Sequence, residues 1–273
     1  MNLVDKILQG DQKAAAKLIS KIEDEPTSTL EELKVLEERI VPVHTLGITG
    51  PPGVGKSTLI ARLIEHYRKK KKKVGVLAID PSSPYTGGAL LGDRIRMQMH
   101  SPDEGVFIRS MATRGQLGGL SRATANAVKV LTGWGADVVI VETVGAGQDE
   151  VEVMRVADTI VLVLSPGLGD DIQMMKAGIL EIGDIFVINK IDQGETGHLE
   201  RNLELVRPGR ERKGWVPAII KTIAIKGSGI DELYKKIEKH REYVIKTEKE
   251  SVQQKEKDRF QKPPKTILEE RDR

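Results

Sequence analysis

The chain has 273 residues, enough for one α/β domain of ordinary size with extensions and too few for two full domains. Lysine and arginine number 43 against 40 aspartates and glutamates, a near balance that argues against a surface dedicated to nucleic acid. Cysteine is absent, which removes disulfides, thiolate metal sites and Cys nucleophiles together and fits a reducing cytoplasm.

From the N-terminus, Met1 to Ser20 alternates charged and apolar residues, so neither a signal peptide nor a membrane span is expected there. Residues 1–41 read as two amphipathic helices. Leu3, Ile7, Leu8, Ala14, Leu18, Ile19 and Ile22 recur at helical spacing before Pro26. Thr29 and Glu32 then stand at capping-box spacing ahead of Leu33, Leu36 and Ile40. From Val43 the pattern changes to short apolar runs separated by helical stretches, at 46–49, 74–79, 138–141, 160–164, 185–188 and 219–225. That alternation predicts an α/β fold with a mainly parallel sheet covered by helices on both faces. A helix is expected after the Gly227 to Gly229 turn, followed by a charged tail from Lys246. The expected division is a helical extension over 1–42, the α/β domain over 43–227 and a C-terminal helical arm with its tail over 228–273. Six successive cations, Arg68 to Lys73, fall where the first long helix ends, so they read as a solvated helix terminus.

Gly50, Pro51, Pro52, Gly53, Val54, Gly55, Lys56 and Ser57, with Thr58 after them, match the Walker A pattern between a strand and a helix. The glycines let backbone N–H groups face phosphates, Lys56 is placed to reach the β and γ oxygens, and the Ser57 hydroxyl suits Mg²⁺. Asp80 and Glu142 each end an apolar run, which puts two carboxylates at the ends of strands, where ligands bind in open α/β sheets. Mg²⁺ takes hard oxygen ligands of this type, and Glu142 is the Walker B candidate. Gly145, three residues on, has the spacing of a γ-phosphate glycine. Gln148 lies too far beyond that glycine to be assigned as the water-positioning residue.

Asn189, Lys190, Ile191 and Asp192 follow the next-to-last strand and spell Asn-Lys-x-Asp. A carboxylate at Asp192 accepts from guanine N1–H and the 2-amino group, two donors that adenine lacks, so GTP and GDP are the expected nucleotides. Thr222, Ile223 and Ala224 are candidates for the last base contact by position. The five histidines are scattered and read as ordinary core or surface residues, which argues against a metal-delivery GTPase. An ATP-using kinase linked to cationic amino-acid transport is opposed by Asn-Lys-x-Asp and by the lack of a kinase catalytic loop. A binding scaffold without hydrolysis is opposed by intact Lys56, Ser57 and Glu142.

Four further stretches are more specific: Asp80 to Gly88 running on to Leu91 through Met97, Ile108 to Gly115 with Leu117 to Leu120, Glu142 to Gln148, and Pro166 to Asp170 with Gln173 and Lys176. In them the chain resembles the MeaB/ArgK-type P-loop GTPases, which chaperone adenosylcobalamin-dependent methylmalonyl-CoA mutase. The resemblance implies GTP hydrolysis with Mg²⁺ and a cobalamin-dependent acyl-CoA mutase as partner. It places Asp80 and Asp93 in a first switch around Mg²⁺ and the attacking water, Glu142 in a second, and Asp170 to Lys176 in a third. It also implies a homodimer in which the terminal helices pack around the partner subunit.

Overall fold

The structure, a computed structural model, describes residues 2–80, 103–112, 117–143, 154–167, 179–206 and 214–261. The N-terminal region forms three helices rather than two: α1 (Leu3–Leu8), α2 (Gln12–Asp24) and α3 (Leu30–Glu37). The extra break has a local cause. Gly10 takes a left-handed φ of 86°, and the Asp11 carboxylate caps α2 by accepting from the Lys13 and Ala14 N–H groups. The capping box expected at Thr29 does not form. Its hydroxyl donates instead to Pro26 O within a 3₁₀ turn at Pro26–Thr29, and Glu32 faces Lys21.

The remaining elements are β1 (His44–Thr49), α4 (Lys56–Lys69), β2 (Val74–Asp80), β3 (Val106–Ala112), α5 (Leu117–Gly133), β4 (Val138–Thr143), β5 (Thr159–Leu164), β6 (Ile185–Asn189), α6 (Gly197–Val206), β7 (Ala218–Thr222) and α7 (Ile230–Gln261). The strands form one seven-stranded sheet in the order β3-β2-β4-β1-β5-β6-β7, every pair parallel. Strand residues alternate between two apolar layers, as the period of two requires. Val139 and Val141 join Ile7, Leu18, Ile22, Leu36, Leu131 and Trp134 on one face. Val138 and Ile140 join Leu46, Ile48, Leu59, Leu63, Leu233 and Ile237 on the other.

Two differences from the sequence reading bear on the site. The expected strand at 219–225 stops at Thr222, and Ala224–Lys226 forms a 3₁₀ turn. A seventh strand, β3, occupies one edge of the sheet. Its middle is polar where it meets side chains of α2: Arg109 pairs with Glu23 and Ser20. Glu23 also accepts from the Ala112 N–H, while the Gln12 amide donates to Glu104 O and Val106 O. Side chains of α2 thus satisfy backbone groups along an exposed sheet edge. The cationic run ends α4 as expected, with Lys69 to Lys72 exposed, and three of its members have partners as well: Arg68 pairs with Asp103, Lys72 with Asp137, and Lys70 lies over the Tyr234 ring.

Candidate functional site

The turn from β1 into α4 is built on glycine. Gly50, Gly53 and Gly55 have φ of 143°, 79° and 94°, conformations that cost other residues strain. Two of them also have no room for a side chain. A Cβ on Gly50 would sit 2.1 Å from Val163 O of β5, and one on Gly55 would sit 2.6 Å from the Asn189 amide nitrogen. The phosphate loop is therefore pressed against a neighbouring strand on one side and the Asn-Lys-x-Asp loop on the other. Gly55, in a left-handed conformation, is the N-cap of α4 and makes no side-chain cap. Such a helix start is suited to an anion. Lys56 is buried, and its ammonium donates to Gly50 O at 2.8 Å and Pro51 O at 3.0 Å. A cation is thereby held over the loop.

Register places the carboxylates beside this loop. The Glu142 backbone lies next to Ile48 of β1 and Ala78 of β2, and Asp80 ends β2 two residues further on. Glu142 is 2 % exposed, and its Oε1 accepts from the Ser57 hydroxyl at 2.9 Å. A hydroxyl and a carboxylate 85 residues apart in sequence thus meet at the end of the sheet. Behind them Thr143 donates to the Thr49 hydroxyl, tying β4 to β1. Asp80 is placed by its backbone only. Asp93, Gly145, Gln148 and Lys176 lie outside the described residues.

The third part is Asn189, buried at the end of β6. Its amide donates to Val54 O of the phosphate loop, and its carbonyl accepts from the Thr222 hydroxyl and the Ala224 N–H. One side chain therefore joins the phosphate loop, the end of β7 and the turn after it. Lys190 follows with a left-handed φ of 59°, unusual for a non-glycine residue, and swings the chain into Ile191 and Asp192. Asp192 faces Lys226, with Nζ 3.2 Å from Oδ2. The structure thus brings Val54, Gly55, Asn189, Thr222 and Ala224 together. Ile223 forms an antiparallel bridge with Ser228 instead of continuing β7. Lys226 was not legible as a site residue, since only the fold brings the turn after β7 beside the loop after β6.

A family model described as methylmalonyl Co-A mutase-associated GTPase MeaB matches residues 15–271. The chain belongs to the MeaB family. A putative GTPase of Pyrococcus horikoshii is 49 % identical over 274 residues, covering 97 % of this chain and 84 % of that protein. The GTPase ArgK of Escherichia coli is 36 % identical over 243 residues, covering 85 % of this chain and 72 % of that protein. Among solved structures, a LAO/AO transport system kinase is similar with a TM-score of 0.65 and 25 % identity, covering 94 % of this chain and 83 % of that one. Hydrogenase maturation factor HypB from Archaeoglobus fulgidus, at 19 % identity and a TM-score of 0.51 over 84 % of this chain and 98 % of its own, shares the fold. As a MeaB-family protein the chain is a P-loop GTPase that binds guanine nucleotide. Among the described residues, no helix is long and apolar enough to cross a membrane.

Proposed function

We propose that GTP hydrolysis by this MeaB-family chain is Mg²⁺-dependent and drives a switch that chaperones an adenosylcobalamin-dependent acyl-CoA mutase in the cytoplasm. The match to the mutase-associated family over residues 15–271 is the observation that carries the partner. A mouse relative, the methylmalonic aciduria type A homolog, mitochondrial, is 35 % identical over 249 residues, covering 84 % of this chain and 60 % of that protein, and its name is of the same methylmalonic class.

The roles follow from the chemistry of the residues. Ser57 and Glu142, 2.9 Å apart at the loop, supply hard oxygen donors that fit Mg²⁺, with Asp80 and Asp93 completing the set. Bound there, the metal would supply positive charge for the oxygens that gain charge as the γ-phosphoryl group leaves. Lys56 exchanges its loop carbonyls for β and γ oxygens, and the α4 N-terminus and loop amides hold the remaining phosphate charge. Asp192 accepts from the guanine edge, with Thr222, Ile223 and Ala224 forming the opposite wall. Gly145 and Lys176 belong to segments whose contacts change with nucleotide state. Residues 1–42 and 228–273 serve homodimer assembly around the 43–227 domain. The test is a pull-down from native lysate on the protein loaded with a nonhydrolysable GTP analogue or with GDP. Nucleotide-dependent recovery of a cobalamin-dependent mutase is expected, and recovery of none in either state would refute the proposed partner.

A further inference from the structure

Arg62 lies in the second turn of α4, five residues beyond Ser57, and has no place in the Walker A pattern. Each of its three guanidinium nitrogens has a partner. Nε donates to Ala224 O at 3.1 Å and Nη2 to Ile225 O at 2.8 Å, while Nη1 lies 3.1 and 3.0 Å from the two oxygens of Glu65. The 3₁₀ turn Ala224–Lys226 is thereby gripped from two sides. Its first N–H is held by Asn189 from β6, and its first two carbonyls by Arg62 from α4. The third residue of the turn, Lys226, reaches Asp192.

These contacts link both ends of the expected nucleotide to one helix. Lys56 and Ser57 open α4 at the phosphate loop, and Arg62 stands roughly 8–9 Å further along the helix axis, at about 1.5 Å per residue. Because α4 is rigid and packed through Leu59, Ile60, Leu63 and Ile64, that separation is fixed. We propose that Arg62 is a specificity-determining positioning residue, which holds the 224–226 turn and, through Lys226, Asp192 in register with the phosphates at the start of the same helix. The inference rests on the guanine-reading assignment of Asp192 made above. A planar, forked donor is what the task requires, because two successive carbonyls must be held at once while the far edge is pinned by Glu65. Without the fork, the Ala224 carbonyl keeps only the Gly227 N–H, the Ile225 carbonyl turns to water, and the turn loses its hold on α4. Lys226 then ceases to fix the carboxylate that separates guanine from bases lacking its 2-amino group.

The test compares GTP with ITP, which lacks that amino group, by titration calorimetry on the full chain. For Arg62→Met we expect Kd for GTP to rise about tenfold and for ITP only about twofold, contracting the preference about fivefold, as the loss of a directional polar reader requires. Arg62→Lys keeps the stem and charge but cannot fork, so the preference contracts in it as well, and it carries the test if the Met variant does not fold. Equal weakening of both nucleotides, with the preference intact, would make Arg62 a staple only and overturn the inference. Failure of the parent protein to prefer GTP over ATP would instead overturn the guanine reading itself.

Discussion

Two buried histidines at the end of the sheet away from the phosphate loop make stability depend on pH. His44 opens β1, and its Nε2 lies 2.7 Å from the Thr159 hydroxyl that opens β5; the same hydroxyl lies 2.7 Å from Nδ1 of His240 on α7. One hydroxyl, able to donate to one ring and accept from the other, suits two neutral imidazoles. Burial lowers His44 to about 3, helped by Arg241 and His240, and lowers His240 to about 4. Both folded values lie below the unfolded value of 6.5. Unfolding therefore takes up protons between the two, and stability falls as pH drops through that window. At pH 5 each histidine costs roughly 2 kcal/mol relative to pH 7.5, so the pair sets an upper limit near ~4 kcal/mol. His66, also lowered chiefly by burial, adds in the same direction. Asp5, Asp137 and Glu200, all lowered from 3.8, 3.8 and 4.5, contribute their losses in the acid part of this range, below the pH at which the histidines first act, while Asp158, raised by burial, acts in the opposite sense as pH falls. The assay is urea unfolding at pH 7.5 and pH 5 for the parent and for His44→Gln/His240→Gln. The parent should lose about 2–4 kcal/mol and the double variant less than half of that, since the glutamines do not titrate. Parallel pH dependence in the two proteins would refute the reasoning.

Three further outcomes follow. Asp192→Asn should weaken GTP and improve xanthosine triphosphate, because the amide donates where the xanthine 2-oxygen accepts; unchanged GTP affinity in a binding titration would remove the guanine assignment. Lys56→Ala should lose GTP binding or turnover, whereas Glu142→Ala should keep binding and lose Mg²⁺-dependent turnover by about a hundredfold or more, read by phosphate release. Parental rates in both would displace the catalytic site. Leu36→Ala, which removes a fully buried side chain packed against Gly133, should cost about 2–5 kcal/mol in urea unfolding, and a loss below 1 kcal/mol would mean that α3 is not part of the core.

The parts of the site legible in the sequence were those whose chemistry is local. Gly50 to Ser57 and Asn189 to Asp192 each carry their ligand chemistry in consecutive residues, and the five central strands stand out as apolar because both their faces are covered. Glu142 could be read as a site carboxylate because it ends such a strand. What escaped was set by partners distant in sequence. The middle of β3 is polar because Arg109 answers Glu23 across 86 residues, which breaks the strand signal. The last strand was read three residues too long, since Asn189 and Arg62 turn Ala224 and Ile225 out of β7 through bonds that no local pattern announces. Arg62 and Lys226 look like ordinary surface cations until the fold brings α4, β6 and β7 together.

The most direct test of the proposed function is GTP turnover by the full chain with Mg²⁺, measured alone and with a purified adenosylcobalamin-dependent methylmalonyl-CoA mutase. Slow basal hydrolysis that rises several-fold on adding the mutase, with no comparable ATP turnover, is the expected result. Identical GTP turnover with and without the mutase would contradict the proposed switch.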